Sequence, residues 1–341
     1  MRDHANPWLL ALALVALINA AGRAQAQSVE DFYRGKQVRI IVSFDVGNDY
    51  DQWARLLARH LGRHVAGNPT FVVQNMPAAG GIASANFLYN TAPKDGSVIG
   101  MIGRNLPYHA LVQEGGVQYD PVKFNWLGSP EVTNRVCVAA DRASVKKAED
   151  LYERELLVGG SGAGSAISTT PVLLARLLGM KFKLIEGYSG PAAVVLAMDR
   201  GEVDGICQTI TSLANYRPGS IEAGKWRILF NIERTPMTAY KAPSVFDYIK
   251  SEDERRIVAL YSSSIELGRP MVAPPGTPAG RVTALRNALS ATLADPALLA
   301  DAQKQKLDIT LVSGDQLAAL VNDLMTTPPN IVKRMQDLLK P

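Results

Sequence analysis

A predicted strand, turn and helix follow one another between Val38 and Leu61, where the chain reads VRIIVSF (38–44), DVGNDYD (45–51) and QWARLLARHL (52–61). The first segment is rich in β-branched and apolar residues, which predicts a buried strand. The third segment predicts an amphipathic helix, whose apolar face carries Trp53, Leu56, Leu57 and Leu61. This order is typical of the first unit of an α/β sheet.

The turn of this unit, residues 45–51, has the composition of a ligand-binding loop. Its single glycine and its Asx residues can satisfy the backbone locally, and Asp51 stands where a helix N-cap is expected. A loop of this kind directs N–H groups out of the carboxyl end of a sheet, where ligands commonly bind. The question of function is therefore what this loop holds.

The N-terminus has the pattern of a secretory signal peptide. Arg2 precedes an apolar run over residues 8–21, and Ala24-Gln25-Ala26 supplies a small-x-small cleavage pattern. We expect residues 1–26 to be removed before Gln27. An uncleaved anchor is the alternative, but the run is shorter than the roughly 20 residues that span a membrane. The expected product is a soluble, periplasmic protein without a lipid anchor, because no cysteine follows the cleavage pattern.

Length and charge limit the classes of partner. The chain has 341 residues and a formal net charge of +4, which allows two domains of ordinary size. Its basic residues are spread along the chain and interleave with acidic ones, and this argues against a nucleic-acid-binding groove. We therefore expect no nucleic-acid partner.

The cysteines and histidines suggest no metal site. Cys137 and Cys207 are the only cysteines, and both lie in apolar segments typical of strands. The segments favour two buried thiols, although the two could pair in an oxidising compartment. Histidine occurs at four scattered positions, His4, His60, His64 and His109. We predict neither a metal nor another cofactor.

The order of predicted elements indicates two α/β domains. Residues 38–102 read as β-α-β-α-β, which predicts a parallel sheet with right-handed crossovers. The alternation restarts at Leu156, and the C-terminal part reads as helices, with N-caps expected at Asp295 and Asp315. We expect the chain to cross between lobes near residues 128–135 and 227–235. The predicted limits are 27–130 plus 233–341 for a discontinuous first lobe and 131–232 for the second.

Three glycine-rich turns follow predicted strands, at Gly47, at Gly80 and Gly81, and over residues 160–164. Together they suggest a cleft between the domains in which backbone N–H groups surround an anion. The third turn reads G-x-G-x-G-S, which is not a dinucleotide fingerprint, and no nucleophile elbow or metal set is present. We therefore predict that the protein is not an enzyme.

A series of short motifs, in order along nearly all of the mature chain, resembles the Bug family. These are the periplasmic receptors of tripartite tricarboxylate transporters. The motifs are FYRGK (32–36), QN (74–75), Pro77, GG (80–81), APKDG (92–96), GYSG (187–190), GEVD (201–204), EAGK (222–225) and APPGTP (273–278).

The resemblance implies a two-lobed periplasmic binding protein of type II, or Venus-flytrap, architecture. Each lobe is expected to contain a mainly parallel sheet flanked by helices. The implied function is to capture a small organic carboxylate, a di- or tricarboxylate or an aromatic acid, and to deliver it to a membrane permease of the tripartite tricarboxylate type. The protein is expected to be a monomer that closes around its ligand. Two alternatives remain: a ligand-sensing partner of a membrane signalling protein, and a periplasmic hydrolase or dehydrogenase.

The same resemblance implies that the loops 44–51 and 161–169 grip the carboxylate. The candidate ligand-binding residues are Phe44, Val46, Gly47, Asn48, Tyr50, Asp51, Gly80, Gly81, Arg104, Ser161, Gly162, Gly164, Ser165, Ser168, Thr169, Tyr188 and Gln208.

Three features depart from the family pattern. Asp45 and Val46 stand where prolines are common, Asn48 and Asp49 stand where glycines are common, and Gln208 replaces an acidic residue. The carboxylates of Asp45 and Asp49 would repel an anionic ligand. They therefore point to solvent, or Arg104 offsets them, or the ligand has a donor-rich end. Four aromatic residues could wall an apolar ligand or belong to the core: Phe44, Tyr50, Tyr108 and Tyr188.

Overall fold

The computed structural model describes residues 27–112, 115–132, 134–162, 165–234, 236–305 and 307–340. The predicted signal peptide lies outside the described residues. None of the helices within these ranges is both long and apolar enough to cross a membrane.

The chain forms eleven strands and twelve helices within these ranges. Up to the first crossing between sheets they are α1 Val29–Tyr33, β1 Gln37–Val42, α2 Asp49–His60, β2 Thr70–Asn75, α3 Ile82–Asn86, β3 Val98–Met101, α4 Leu106–Leu111 and β4 Asn125–Ser129. The middle of the chain contains β5 Arg135–Ala140, β6 Leu156–Gly159, α5 Ala166–Leu178, β7 Phe182–Ile185, α6 Pro191–Arg200, β8 Gly205–Thr209, α7 Ile210–Tyr216 and β9 Trp226–Asn231. The last part contains α8 Glu252–Glu266, β10 Met271–Ala273, α9 Ala279–Leu293, α10 Pro296–Lys304, β11 Val312–Ser313, α11 Gly314–Met325 and α12 Pro329–Leu339.

The strands form two separate sheets, each of which is the centre of one lobe. The first sheet has the order β11-β4-β10-β3-β1-β2, and the second has the order β7-β6-β8-β5-β9. In the first sheet β1 pairs in parallel with β2 and β3, while β10 pairs antiparallel with both β3 and β4. In the second, β6 is parallel to β7 and β8, whereas β5 is antiparallel to β8 and β9.

The two-lobed α/β fold expected from the sequence is confirmed, but the sheets are mixed where mainly parallel sheets were expected. The strands that run against the parallel series are β5, β10 and β11, and of these β5 and β10 are the first strands after a change of lobe. Both are interior strands that enter their sheet from the end opposite to that at which the β-α-β strands begin, so they run against that series.

The strand β1 shows why this fold suits the sequence. Val38, Ile40 and Val42 pack in one core cluster with the buried face of α2, while Ile41 packs in a second cluster on the other face of the sheet. A strand covered on both faces has to be apolar along its whole length. This arrangement explains the continuous apolar run with which the unit begins.

The last hundred residues contribute to both lobes. The strands β10 and β11 belong to the first sheet. By contrast, Ile257 and Val258 of α8 and Ile331 and Val332 of α12 pack in the core cluster that contains Leu173 of the second lobe. The lobe limits given above remain a prediction, and this packing attaches α8 and α12 to the second lobe.

Cys137 and Cys207 form a disulfide that joins β5 to β8. The two residues face each other directly in the antiparallel register, and both side chains lie in the same buried cluster. The preference for two buried thiols was therefore wrong. The sequence could not reveal the pairing because the register that aligns residues 137 and 207 depends on the whole second sheet.

Candidate functional site

The first loop, residues 44–51, is held by its own polar side chains. Asn48, and not Asp51, is the N-cap of α2: its side chain accepts a hydrogen bond from the Asp51 N–H at 3.1 Å. Asp51 is 2% exposed, and its carboxylate accepts bonds from Gly47 N at 2.9 Å and Arg55 Nε at 2.9 Å. Asn75 Nδ2 donates to it at 3.0 Å. Asp51 is thus used inside the loop, which fixes the shape of the turn.

These contacts also set the ionisation of Asp51. Burial acts to raise the pKa of the Asp51 carboxyl, but the hydrogen bonds from Arg55, Gly47 and Asn75 outweigh it and hold the pKa below its ordinary value. The group is therefore a fixed anion of the first lobe.

The aromatic residues of the first loop pack on each other. The rings of Phe44 and Tyr50 lie 4.6 Å apart, and the Phe44 carbonyl accepts a bond from Asn75 Nδ2. Tyr50 is buried; its hydroxyl accepts from Arg104 N at 3.2 Å and donates to the Gly268 carbonyl at 3.5 Å. Tyr50 thereby connects the ends of β1 and β3 to the segment before β10.

The acidic residues of the first loop do not act as a pair. Asp45 is exposed, and Val46 beside it is 70% exposed. Asp49 forms an ion pair with Arg269, a residue that the sequence analysis did not consider. Of the alternatives left open, solvent exposure applies to Asp45, while Arg269 offsets Asp49.

Gly80 and Gly81 follow β2 at the same edge of the sheet. Both have positive φ, of 62° and 98°. A Cβ on Gly81 would lie 3.0 Å from the Cβ of Ser43, so this position needs glycine for space as well as conformation. The turn therefore packs against the end of β1.

In the second loop, N–H and hydroxyl groups that were expected to bind the ligand donate instead to a carboxylate of the protein itself. Glu186 accepts bonds from Gly162 N at 2.7 Å and from Ser168 Oγ at 3.1 Å. Ser161 donates its N–H to Ser168 Oγ at 3.0 Å and its hydroxyl to Ser165 Oγ at 2.9 Å. Gly164 lies outside the described residues. The hydroxyl cluster is thus arranged around an anion, and that anion is Glu186.

The remaining candidates in the second lobe each have a different hydrogen-bond partner. Thr169 Oγ1 lies 3.1 Å from the hydroxyl of Tyr261 on α8. The Tyr188 hydroxyl donates to Glu202 at 3.5 Å. Gln208 lies at the end of β8, and its amide oxygen accepts from Thr209 N at 2.7 Å.

A cavity of about 460 Å³ lies between the two lobes. Residues of the first lobe and of the crossing after β4 form one wall: Asp49, Gln52, Arg104, Glu131, Arg269, Gln305, Leu307 and Asp308. Residues of β5, β8 and α7 form the other: Arg135, Gln208, Thr209, Thr211, Ser212 and Asn215. Of the predicted site residues, this cavity brings Arg104 and Gln208 together. The other candidates lie in the loops described above and not in its lining.

The first wall contains a compensated charge cluster. Arg269 pairs with Asp49, its Nε lies 3.9 Å from Glu131 Oε2, and its guanidinium carbon lies 4.8 Å from the centre of the Tyr50 ring. Trp53 Nε1 donates to Glu131 at 2.6 Å. Gly268 makes this approach possible, because a Cβ there would lie 1.8 Å from the Glu131 carbonyl oxygen.

The cluster changes the pKa values of both of its buried members. Burial raises the pKa of Glu131, and the nearby Arg269 only partly opposes this effect. Burial acts to lower the pKa of Arg269, but Tyr50, Asp49 and Glu131 together raise it above its ordinary value. Arg269 therefore stays charged, and its charge is balanced by its own neighbours.

Arg135 has more unmet buried donors than Arg269, in which only Nε has no hydrogen-bond partner among the described residues. Arg135 is 5% exposed, and its Nε and Nη1 atoms have no hydrogen-bond partner within the part of the chain that the structure describes. Burial, together with the nearby Arg104, lowers the pKa of the guanidinium below its usual range. Glu233 accepts a bond from the Arg135 main-chain N–H at 2.6 Å, and not from the guanidinium. A buried cation with unmet donors is a position for an anion.

A family model described as the tripartite tricarboxylate transporter family receptor matches residues 53–336 of the chain. This protein belongs to that receptor family. The family predicted from the sequence motifs is thus confirmed, and receptors of this family are periplasmic solute-binding proteins. A curated relative, the UPF0065 protein in the gbd 5′ region of Cupriavidus necator, is 25% identical over 341 residues, which cover 96% of this chain and 95% of the relative.

Solved structures similar to this receptor show the same fold. A TctC solute-binding protein from Polaromonas aligns with a TM-score of 0.69 at 17% identity, over 90% of this chain and 98% of that chain. The periplasmic binding protein BugD aligns with a TM-score of 0.54 at 21% identity, over 90% and 98% of the two chains. An R. palustris protein solved with adipate aligns with a TM-score of 0.54 at 19% identity, over 88% and 97%.

The receptor also has a larger groove, of about 840 Å³, lined by residues of the second crossing and of α11. Its size does not make it the better site for a carboxylate. Glu233, Glu266 and Asp323 contribute three carboxyl groups to it, and Arg234 is its single cation. Arg234 already forms an ion pair with Asp323 at 2.7 Å, so its charge is neutralised and is not available to bind an anionic ligand.

Of the fourteen residues that line the receptor's cavity, sequence reasoning named only Arg104 and Gln208 as candidate ligand-binding residues, and the other twelve include the charged Glu131, Arg135 and Arg269. Arg135 carried a signal, because it is a charged residue at the start of an otherwise apolar strand, at the expected crossing between lobes. Arg269 carried none, since its partner Asp49 lies 220 positions away.

Proposed function

We propose that this protein is an exported receptor that captures a small organic carboxylate in the cavity between its lobes and delivers it to a membrane transporter. Membership of the tripartite tricarboxylate receptor family supports the transport role. The position of the cavity, at the edge of both sheets and between the lobes, supports capture by closure.

The proposal rests mainly on one observation, that the guanidinium of Arg135 is buried and has unmet hydrogen-bond donors. A guanidinium with two buried nitrogens that lack hydrogen-bond partners among the described residues costs free energy, because water no longer solvates those N–H groups. A ligand carboxylate in the cavity that Arg135 lines would accept charge-assisted hydrogen bonds from the guanidinium. Binding would thus supply the partner that the empty receptor lacks.

Closure would strengthen the same contact. Thr211 Oγ1 of α7 donates to Asp308 Oδ2 of the first lobe at 3.4 Å, near the limit of a hydrogen bond. A small approach of the lobes would shorten this contact and exclude water from the cavity. The electrostatic attraction between Arg135 and the ligand would then act in a less polar environment.

We infer that residues 1–26 are a cleaved signal peptide, that the mature protein acts as a periplasmic monomer, and that it is not an enzyme. The adipate-bound relative is consistent with a carboxylate ligand, but at 19% identity it supports the fold alone. The ligand class therefore rests on the family and on the cavity.

Isothermal titration calorimetry of the mature protein against mono-, di- and tricarboxylates and aromatic acids tests the proposal. We expect at least one acid to bind and its uncharged amide analogue to bind at least about tenfold more weakly, since Arg135 recognises charge. If no acid of the panel binds to protein that circular dichroism shows to be folded, the proposed function is contradicted.

A further inference from the structure

The lining of the cavity restricts the body of the ligand as well as its charge. Leu307 is the one apolar side chain among its fourteen lining residues. Phe44 stacks on Tyr50 and is absent from the lining, as are Tyr108 and Tyr188. An aromatic or alkyl body would bury little apolar surface here and would remove water from polar groups without replacing it.

Arg269 and Arg135 differ in how their charge is balanced, although Arg269 Nε also has no hydrogen-bond partner among the described residues. Arg269 is balanced by Asp49 and Glu131. Arg135 instead has two buried nitrogens without partners. A carboxylate therefore binds best at Arg135, and the rest of the ligand lies against the walls next to it.

The wall formed by β8 and α7 offers hydrogen-bond donors that the protein does not use. Gln208 uses its amide oxygen to accept from Thr209 N, so its NH₂ group is available to donate. Thr209 donates its hydroxyl to Ser212 Oγ at 2.8 Å, so the Ser212 hydroxyl proton is available in turn.

The facing wall offers acceptors. Among the described residues, Asp308 accepts only the long bond from Thr211, and Gln305 Oε1 accepts a similarly long bond from Gln52 Nε2 at 3.5 Å. A hydroxyl group both donates and accepts, so it can satisfy the donors of one wall and the acceptors of the other. An apolar methylene group can satisfy neither.

We propose that the receptor binds a hydroxylated organic acid, with its carboxylate on Arg135 and its hydroxyl groups between Gln208 and Ser212 on one wall and Asp308 on the other. This inference rests on the proposed function, because it names the class of carboxylate that the same cavity takes. It selects against the aromatic acids that the sequence left open.

Matched pairs of acids test the class. D-gluconate and hexanoate have the same carbon count and charge and differ in their hydroxyl groups, as do L-tartrate and succinate; benzoate represents the aromatic acids. We expect the hydroxylated member of at least one pair to bind about tenfold or more tightly than its partner in calorimetry.

The outcomes separate this inference from the proposed function. If hexanoate, succinate or benzoate binds as tightly as the hydroxylated acids, the hydroxylated class is wrong and the carboxylate receptor stands. If none of these acids nor any acid of the wider panel binds, both proposals fail together.

Variants of the cavity locate the contacts. Gln208→Leu and Ser212→Ala should each weaken binding of the hydroxylated acid about fivefold to tenfold and leave the affinity for its deoxy partner unchanged. Arg135→Met should weaken the binding of both acids by about 30-fold or more, because it removes a buried charged contact. Arg256→Gln is the control, since Arg256 pairs with Glu252 on the surface of α8 and should leave both affinities unchanged.

Circular dichroism and thermal unfolding confirm that each variant is folded before titration. If Arg135→Met does not fold, the two wall variants still decide the question, because they lie at the end of β8 and on α7 at partly exposed positions. An unchanged ratio between hydroxylated and deoxy acids in both wall variants would overturn the inference.

Discussion

Asp49 and Asp51 stand two positions apart in the first loop and have opposite roles. Asp51 is buried and holds the turn through Gly47, Arg55 and Asn75. Asp49 is exposed and balances Arg269 at the wall of the cavity. The difference depends on which partner each carboxylate meets, and two of the four partners, Asn75 and Arg269, come from other parts of the chain.

Replacing Asp51 by alanine should lower the free energy of unfolding by about 2–3 kcal/mol, because three donors lose their common acceptor in a buried position. Urea unfolding measures this loss. Asp45→Ala is the matched control in the same loop; as Asp45 is exposed, we expect a change within about 0.5 kcal/mol. Equal effects of the two variants would contradict the structural role of Asp51.

Glu233 should make stability depend on pH. Burial raises the pKa of Glu233 to about 7, from an ordinary value of 4.5, with Glu266 adding to the rise and Arg135 opposing it. Because the folded state binds the proton more tightly than the unfolded state, the stability from this group is full below about pH 4.5 and is lost as pH rises to about 7. The loss is at most about 3 kcal/mol.

Thermal unfolding between pH 5 and pH 8 checks this expectation. The Glu233→Gln variant should lose less stability over that range than the native protein, although some dependence remains because burial also raises the pKa of Glu266. Glu252→Gln, at an exposed position of α8, should keep the native dependence. A Glu233→Gln variant with the native slope would show that Glu233 is not the titrating group.

At the scale of single elements, the helices were easier to predict than their first residues. The N-cap at Asp295 is confirmed, with its side chain accepting from Ala297 N and Pro296 in the first turn. The expected caps at Asp51 and Asp315 were wrong, because Asn48 and Ser313 hold those positions. Each of these helices starts with several residues that can cap, and the choice among them depends on how the preceding strand ends.

The disulfide between β5 and β8 should contribute measurably to stability. It closes a loop with a sequence separation of 70, for which the loss of chain entropy predicts about 4 kcal/mol. We expect the Cys137→Ala/Cys207→Ala double variant to unfold at lower urea concentration by a corresponding amount. Dithiothreitol should destabilise the native protein and leave the double variant unchanged. If the native protein, unfolded without a reducing agent, shows free thiols that react with a thiol reagent, the disulfide is absent.

At the scale of the whole molecule, the alternation of strands and helices predicted two lobes and their order, but not how the C-terminal part is divided. The helices α8 and α12 pack on the second lobe, whereas β10 and β11 complete the first sheet. Periodicity shows which face of a helix is buried, but it does not show against which lobe. That choice depends on contacts across hundreds of positions.

We expect the two lobes to close around the ligand when it binds. Small-angle X-ray scattering should show a smaller radius of gyration for the native protein when the acid that binds most tightly is added. Arg135→Met at the same acid concentration should show no change, because it should not bind. A radius that stays constant at saturating ligand in the native protein would contradict closure as the mechanism.

The sequence by itself determined the buried strands, the glycine turns and the family, because these depend on local composition, periodicity and the order of short motifs. The same features predicted that the first loop is one side of a cleft, and of this loop only Asp49 lines the cavity. Only the tertiary structure decided that Arg135 is buried with unmet donors, that Arg269 balances Asp49, and that Cys137 meets Cys207. The physical reason is the same in each case, since charge balance and covalent pairing depend on neighbours in space that lie far apart along the chain.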